Sequence, residues 1–138
     1  MRERQFVADI VSGTKLPKMF RARQIFPDDK LEVEKIPQII HDLLSEPKFK
    51  DRVKPGMRIA ITAGSRGISN VALTTKCIVD FCKEQGAQPF IVPAMGSHGG
   101  ATAEGQKEIL TGYGITEEYC GCPIISSMEV KCIGKNAE

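Results

Sequence analysis

The sequence predicts an α/β fold, an open and mainly parallel sheet flanked by helices. Three observations predict it. From Arg58 onward the chain alternates strand, loop and helix patterns. Two loops in that stretch echo each other, Gly64-Ser65-Arg66-Gly67 and Gly96-Ser97-His98-Gly99, at a spacing of 32 residues, which suits one strand-helix unit of a parallel sheet. The 138 residues, 41% hydrophobic and 26% charged, have the size and balance of one ordinary globular domain able to bury about two thirds of its unfolded surface.

Residues 1–57 are read as an N-terminal strand and helix segment packing on a core formed by residues 58–138. The opening stretch MRERQFVADIVSG is charged and lacks a clean apolar run ending in small residues, so it is not a secretory signal, and the expected location is the cytoplasm. KMFRARQIF, residues 18–26, alternates as a half-exposed strand does, with Lys15, Lys18, Arg21 and Arg23 on a solvated face, and PDDK then makes a turn. A short helix follows with Pro37 at its start. Ile36, Ile40, Leu43 and Leu44 share its apolar side, and His41 lies on the wetter side as a surface histidine.

KPGM is a turn, and RIAIT a short apolar strand. Ser69 or Asn70 can cap a helix running to about Gln85 and ended by Gly86, with Lys76, Asp80, Lys83 and Glu84 on one face and Val71, Ile78, Val79 and Cys82 toward the other. QPFIVPA is the next strand and GSHGGAT its loop. Thr102 then caps a helix through Ile109, Leu110 and Tyr113 that stops at Gly114, and PIISS and EVKCIG read as further short strands.

Several function classes fall away on composition. No apolar run approaches the roughly 20 residues of a membrane span, and a formal charge of +2 gives no case for nucleic acid. Five cysteines, an odd number with no disulfide framework, read as free thiols. A zinc site from Cys120, Cys122, Cys132 and His98 has nothing in the pattern to hold the four together. Neither echoed loop carries a dinucleotide fingerprint or a P-loop.

If the two strands are neighbours and parallel, both loops leave the same carboxyl edge, where open α/β sheets bind ligands, and Arg66 and His98 can face a common crevice. Gly64, Gly67, Gly96, Gly99 and Gly100 let backbone N–H groups approach an anion, helped by Ser97, Thr102 and the helix N-termini. Arg66 offers a fixed fork for a carboxylate or phosphate, and His98 a proton donor and acceptor near neutral pH. The plainer alternative is that Gly and Ser serve turn geometry and capping, and His98 packs the loop.

LPKMFRARQ, KPGMRIAITAGSRGISN and, above all, QPFIVPAMGSHGGATAEGQKEIL with GYGIT and CPIISSMEV resemble the N-terminal part of lactate-racemase-like proteins, from about Leu16 to the end of the chain. The resemblance implies a two-domain, Rossmann-like enzyme, an isomerase that racemises or epimerises a small-molecule 2-hydroxy acid. It implies a nickel-pincer nucleotide that accepts a hydride while histidines handle the hydroxyl proton. Carried over by motif, His98 matches the first acid/base histidine, and Arg66 the substrate-holding arginine, with Ser65 in the place of a threonine. The lactate-specific members have Asp-His-Thr-Arg-Pro where this chain reads Ala63-Gly64-Ser65-Arg66-Gly67, and an arginine where it has Gly99, so a different hydroxy acid is expected.

The second histidine, the cofactor-carrying lysine and the nickel ligand of that family are expected beyond residue 138, with no metal held by this chain. The 138 residues then read as a piece of a longer protein, inactive alone and self-associating through surface left uncovered. Two readings remain beside this one: a relative with changed chemistry, and a stand-alone anion- or nucleotide-binding module without catalysis.

Overall fold

The computed structural model describes residues 2–15, 18–26 and 30–134. The chain divides into two compact units, Met1–Lys30 and Leu31–Glu138. The first holds a helix, α1 (Arg2–Val11), which the sequence patterns did not predict. Residues 18–26 form no strand. Met19, Phe20, Ile25 and Phe26 are all strongly exposed. Alternation alone does not make a strand, because its backbone groups need a neighbouring edge to bond to. The turn expected at PDDK lies mostly outside the described residues.

The second unit is mixed α/β. After a short 3-10 turn comes α2 (Ile36–Leu44), with Pro37 in its first turn, followed by the one-turn α3 (Pro47–Lys50). The α2 helix lies along α4 (Val71–Glu84). Of its expected apolar side, Ile36, Ile40 and Leu44 are half-buried while Leu43 stays 53% exposed. His41 is on the outside, its ring edge-on to Phe81 at 6.1 Å.

Strands β1 (Arg58–Ala63) and β2 (Gln88–Pro93) are adjacent and parallel, pairing from Arg58 with Gln88 to Ala63 with Pro93. The backbone ladder runs one step past the strands, since Ala94 N donates to Ala63 O at 2.7 Å. On the other side of β2, Ile91 bonds the Pro123 and Ile125 backbones, so the predicted strand PIISS contributes a single parallel bridge at Ile124. EVKCIG, expected as a strand, forms no strand and pairs with none among the described residues. Val130 and Ile133 are fully exposed.

The core lies on one face of this small sheet. Ile61, Val79, Ile91, Leu110, Ile115, Cys120 and Ile124 pack together beneath α4, α5 (Ala103–Gly112) and the one-turn α6 (Glu117–Cys120). Val79 and Cys82 of α4 are buried in this core as expected, whereas Phe81, only 3% exposed, is buried on another side of α4, toward His41 of α2. The opposite face of β1, carrying Arg58, Ala60 and Thr62, is exposed. Parallel sheets are ordinarily covered on both faces, so this one presents a bare side.

Of the two side-chain caps expected, at α4 and α5, one forms. Thr102 caps α5 by accepting from Gly105 N at 3.0 Å. Asn70 occupies the position before α4 but makes no side-chain cap. It sits instead in the left-handed region at φ 59°. Asparagine tolerates that conformation better than most residues, and the chain uses it here to turn from the loop into the helix.

Candidate functional site

The parallel, adjacent strands deliver both echoed loops to one edge of the sheet. Loop 1, residues 64–70, follows β1, and loop 2, residues 94–102, follows β2. Paired strand residues are thirty positions apart, whereas the echoed motifs are thirty-two apart, so the motifs do not face each other residue for residue. Loop 2 runs further before it turns back. His98 consequently meets Ser65, with 2.5 Å between His98 Nδ1 and Ser65 Oγ.

That contact fixes which ring nitrogen faces outward. With Nδ1 held by the serine hydroxyl, Nε2 of the exposed imidazole has no partner among the described residues. Arg66, next to Ser65, is exposed, and no described residue bonds or ion-pairs its guanidinium. A free imidazole nitrogen and a free planar cation are thus carried by two loops at the edge where ligands bind such sheets.

Helix α5 holds both loops. Tyr113, half-buried at its end, donates its hydroxyl hydrogen to Ser65 O at 2.6 Å. Its ring lies beside Gly67, where an added β-carbon would come within 3.4 Å of Cε1. Gln106, 5% exposed, donates from Nε2 to Gly96 O at 2.7 Å. Both residues were invisible as site residues in the sequence. Tyr113 reads there as a helix-end apolar residue and Gln106 as a polar one, and the partners of each lie far along the chain.

The glycines of loop 2 serve backbone shape. Gly99, Gly100 and Ala101 all lie in the left-handed region, at φ 66°, 65° and 55°. Gly99 also abuts Gly105 on α5 so closely that a β-carbon on either would collide with the other's backbone. Thr102 donates to Gly99 O at 3.0 Å while accepting from Gly105 N, so its one hydroxyl hydrogen is used inside the protein. Gly96 is a turn residue at φ 59°, Gly64 comes no nearer a neighbour than 4.0 Å from Ala94 O, and Ser97 is exposed. Neither helix begins at its G-S-x-G motif: α4 starts at Val71 and α5 at Ala103.

Other chemistry-bearing groups lie apart from these loops. His41 lines a groove of about 250 Å3 between α2 and α4 and sits 3.3 Å from Glu84 through Nε2. Cys82, Cys120 and Cys122 are buried, and burial pushes each thiol up from its ordinary value, whereas Cys132 and His98 are exposed. No three His, Cys, Asp or Glu side chains among the described residues are placed to hold a metal ion. Among the described residues no helix is long and apolar enough to cross a membrane.

No protein-family model matches the chain, and no curated protein and no solved structure matches it significantly.

Proposed function

We propose that the chain is the N-terminal part of a cytoplasmic, Rossmann-like 2-hydroxyacid racemase or epimerase, in which His98 exchanges the substrate's hydroxyl proton and Arg66 binds its carboxylate. The observation that carries this reading is the Ser65–His98 contact, which joins the two loops at one sheet edge and leaves Nε2 outward. With Nδ1–H donating to Ser65 Oγ, the Nε2 lone pair is the base that takes the hydroxyl proton and later returns it. Arg66, with no partner among the described residues, gives the carboxylate a two-point contact that orients the hydroxyl.

The nickel-pincer nucleotide that the resemblance implies would supply the hydride acceptor. No metal-ligand set is present among the described residues, and the roles assigned here belong to this chain's side chains alone. The largely apolar groove lined by Ile40, Leu43, Leu44, Phe49 and Ile78 supports self-association of the isolated chain.

The test is optical inversion of single enantiomers of a panel of 2-hydroxy acids by the whole protein loaded with cofactor, followed by chiral chromatography. His98→Ala is expected to cut turnover about 100-fold to 10,000-fold, and Arg66→Lys to raise KM although the charge is kept. Hydroxy acids that bind through Arg66 but are never inverted would replace the enzyme with an anion-binding module. Full turnover by His98→Ala would remove His98 from the chemistry.

A further inference from the structure

We propose that Tyr113 is a positioning residue for His98, acting through Ser65, and that α5 is the gauge that sets the spacing of the two loops. This rests on the reading of His98 as the proton-exchanging group.

The argument starts from what Ser65 lacks. It lies in a loop of seven residues between β1 and α4, and nothing in loop 1 itself bonds its carbonyl. Tyr113, forty-eight residues away, supplies that bond at 2.6 Å from a half-buried phenol, and its ring backs on to Gly67 two residues further on. A peptide held at its carbonyl and at the following turn has its Cα–Cβ direction held too, and leaves the side chain only the staggered χ1 wells. In the well it occupies, the Ser65 hydroxyl meets His98 Nδ1.

Loop 2 is held from the same helix. Buried Gln106 bonds Gly96 O, and Gly105 abuts Gly99, so the turn bearing His98 is set against α5 on both sides. Loop 1 hangs from the end of α5 and loop 2 from its start. The distance between Ser65 and His98 is therefore referred to one rigid element rather than to two flexible loops. Geometry of this kind matters to a proton-transfer group, whose efficiency falls when it is loosely held.

The test reads His98 directly in this chain, by the 15N shifts of its ring nitrogens, which report how the neutral imidazole divides its proton between Nδ1 and Nε2. Ser65→Ala is the reference for a lost contact. Tyr113→Phe keeps the ring and removes the hydroxyl, and is expected to move the tautomer ratio in the same direction as Ser65→Ala by about twofold to tenfold. In the Ser65→Ala background Tyr113→Phe should have no further effect, because its route to His98 has gone. An unchanged ratio in Tyr113→Phe, or an effect that persists in the Ser65→Ala background, overturns the proposal. If Tyr113→Phe melts the fold, 4-fluorophenylalanine at position 113 replaces it, close to tyrosine in size but unable to donate to Ser65 O, and the same two outcomes decide. The readout needs no substrate, so it succeeds or fails independently of the racemase reading. In the whole protein a positioning role adds a fall in kcat with little change in KM.

Discussion

Gly99 and Gly105 lie backbone against backbone, and neither has room for a β-carbon. Gly105 belongs to α5, where glycine is ordinarily a poor choice and alanine better by up to about 1 kcal/mol. Here the sign reverses. Gly105→Ala must drive a methyl group into the Gly99 carbonyl, and is expected to destabilise by about 1–3 kcal/mol or more. Gly112→Ala, in the same helix with open space around it, is expected to be neutral or stabilising. Melting temperatures of the two variants check the pair. Equal shifts would mean that the close approach is absent.

Ser65→Ala and Ser65→Thr separate a hydroxyl from a side chain of a given size. Alanine removes the partner of His98 Nδ1, while threonine keeps it. In the whole protein, turnover of Ser65→Ala is expected to fall by about fivefold, the equivalent of one neutral hydrogen bond, and Ser65→Thr to stay near normal. The melting temperatures of both should stay close to the parent value. Steady-state rates and melting curves together decide whether the hydroxyl serves the site.

Glu117 ties three elements together, accepting from Lys107 Nζ at 2.7 Å on α5 and from Ile124 N at 3.1 Å on the segment bridged to β2. The hydrogen bond from Lys107, then that from Ile124, hold its carboxyl below the ordinary value of 4.5. A carboxyl lowered on folding stabilises fully above that ordinary value, and the stabilisation is lost as pH falls through the folded value. Glu117→Gln should melt lower than the parent at neutral pH. The gap should close on acidification through the acid range below 4.5, and a gap independent of pH would contradict it.

Thiol chemistry gives a fourth expectation. Burial raises Cys82, Cys120 and Cys122, so at neutral pH they stay protonated and shielded, while Cys132 is exposed. The thiolate is the nucleophile. Alkylation with iodoacetamide followed by mass spectrometry should therefore label Cys132 first and the three buried thiols only after denaturant is added. Half-buried Cys77, also raised mainly by burial, should fall between.

The elements that were legible in the sequence are those whose neighbours are also close in sequence. β1, α4, β2 and α5 follow from apolar periodicity, a Thr102 cap and glycine stops, each decided within one turn or strand. KMFRARQIF and EVKCIG show the same alternation and form no strand, because pairing depends on a free edge that local pattern cannot reveal. The site divides in the same way. The echoed motifs brought Ser65, Arg66 and His98 into view through their spacing and a shared sheet edge, but not the direct Ser65–His98 contact that the longer second loop makes. Tyr113, Gln106 and Gly105 escaped, since their roles are long-range contacts with backbone atoms, and backbone partners leave no signature in residue identity.

Gly99, Gly100 and Ala101 reverse the hand of the chain for one turn directly behind His98. A backbone of that hand is the natural habitat of mirror-image residues. An L-residue such as Ala101 holds it at a cost of roughly 1–2 kcal/mol, whereas D-alanine there would relax into it. Ribosomal synthesis offers no D-residue, and glycine, being achiral, is the nearest coded substitute. The run Gly-Gly-Ala after the histidine is thus a statement about chirality more than polarity, and it leaves those three positions few coded alternatives that keep the imidazole where it stands.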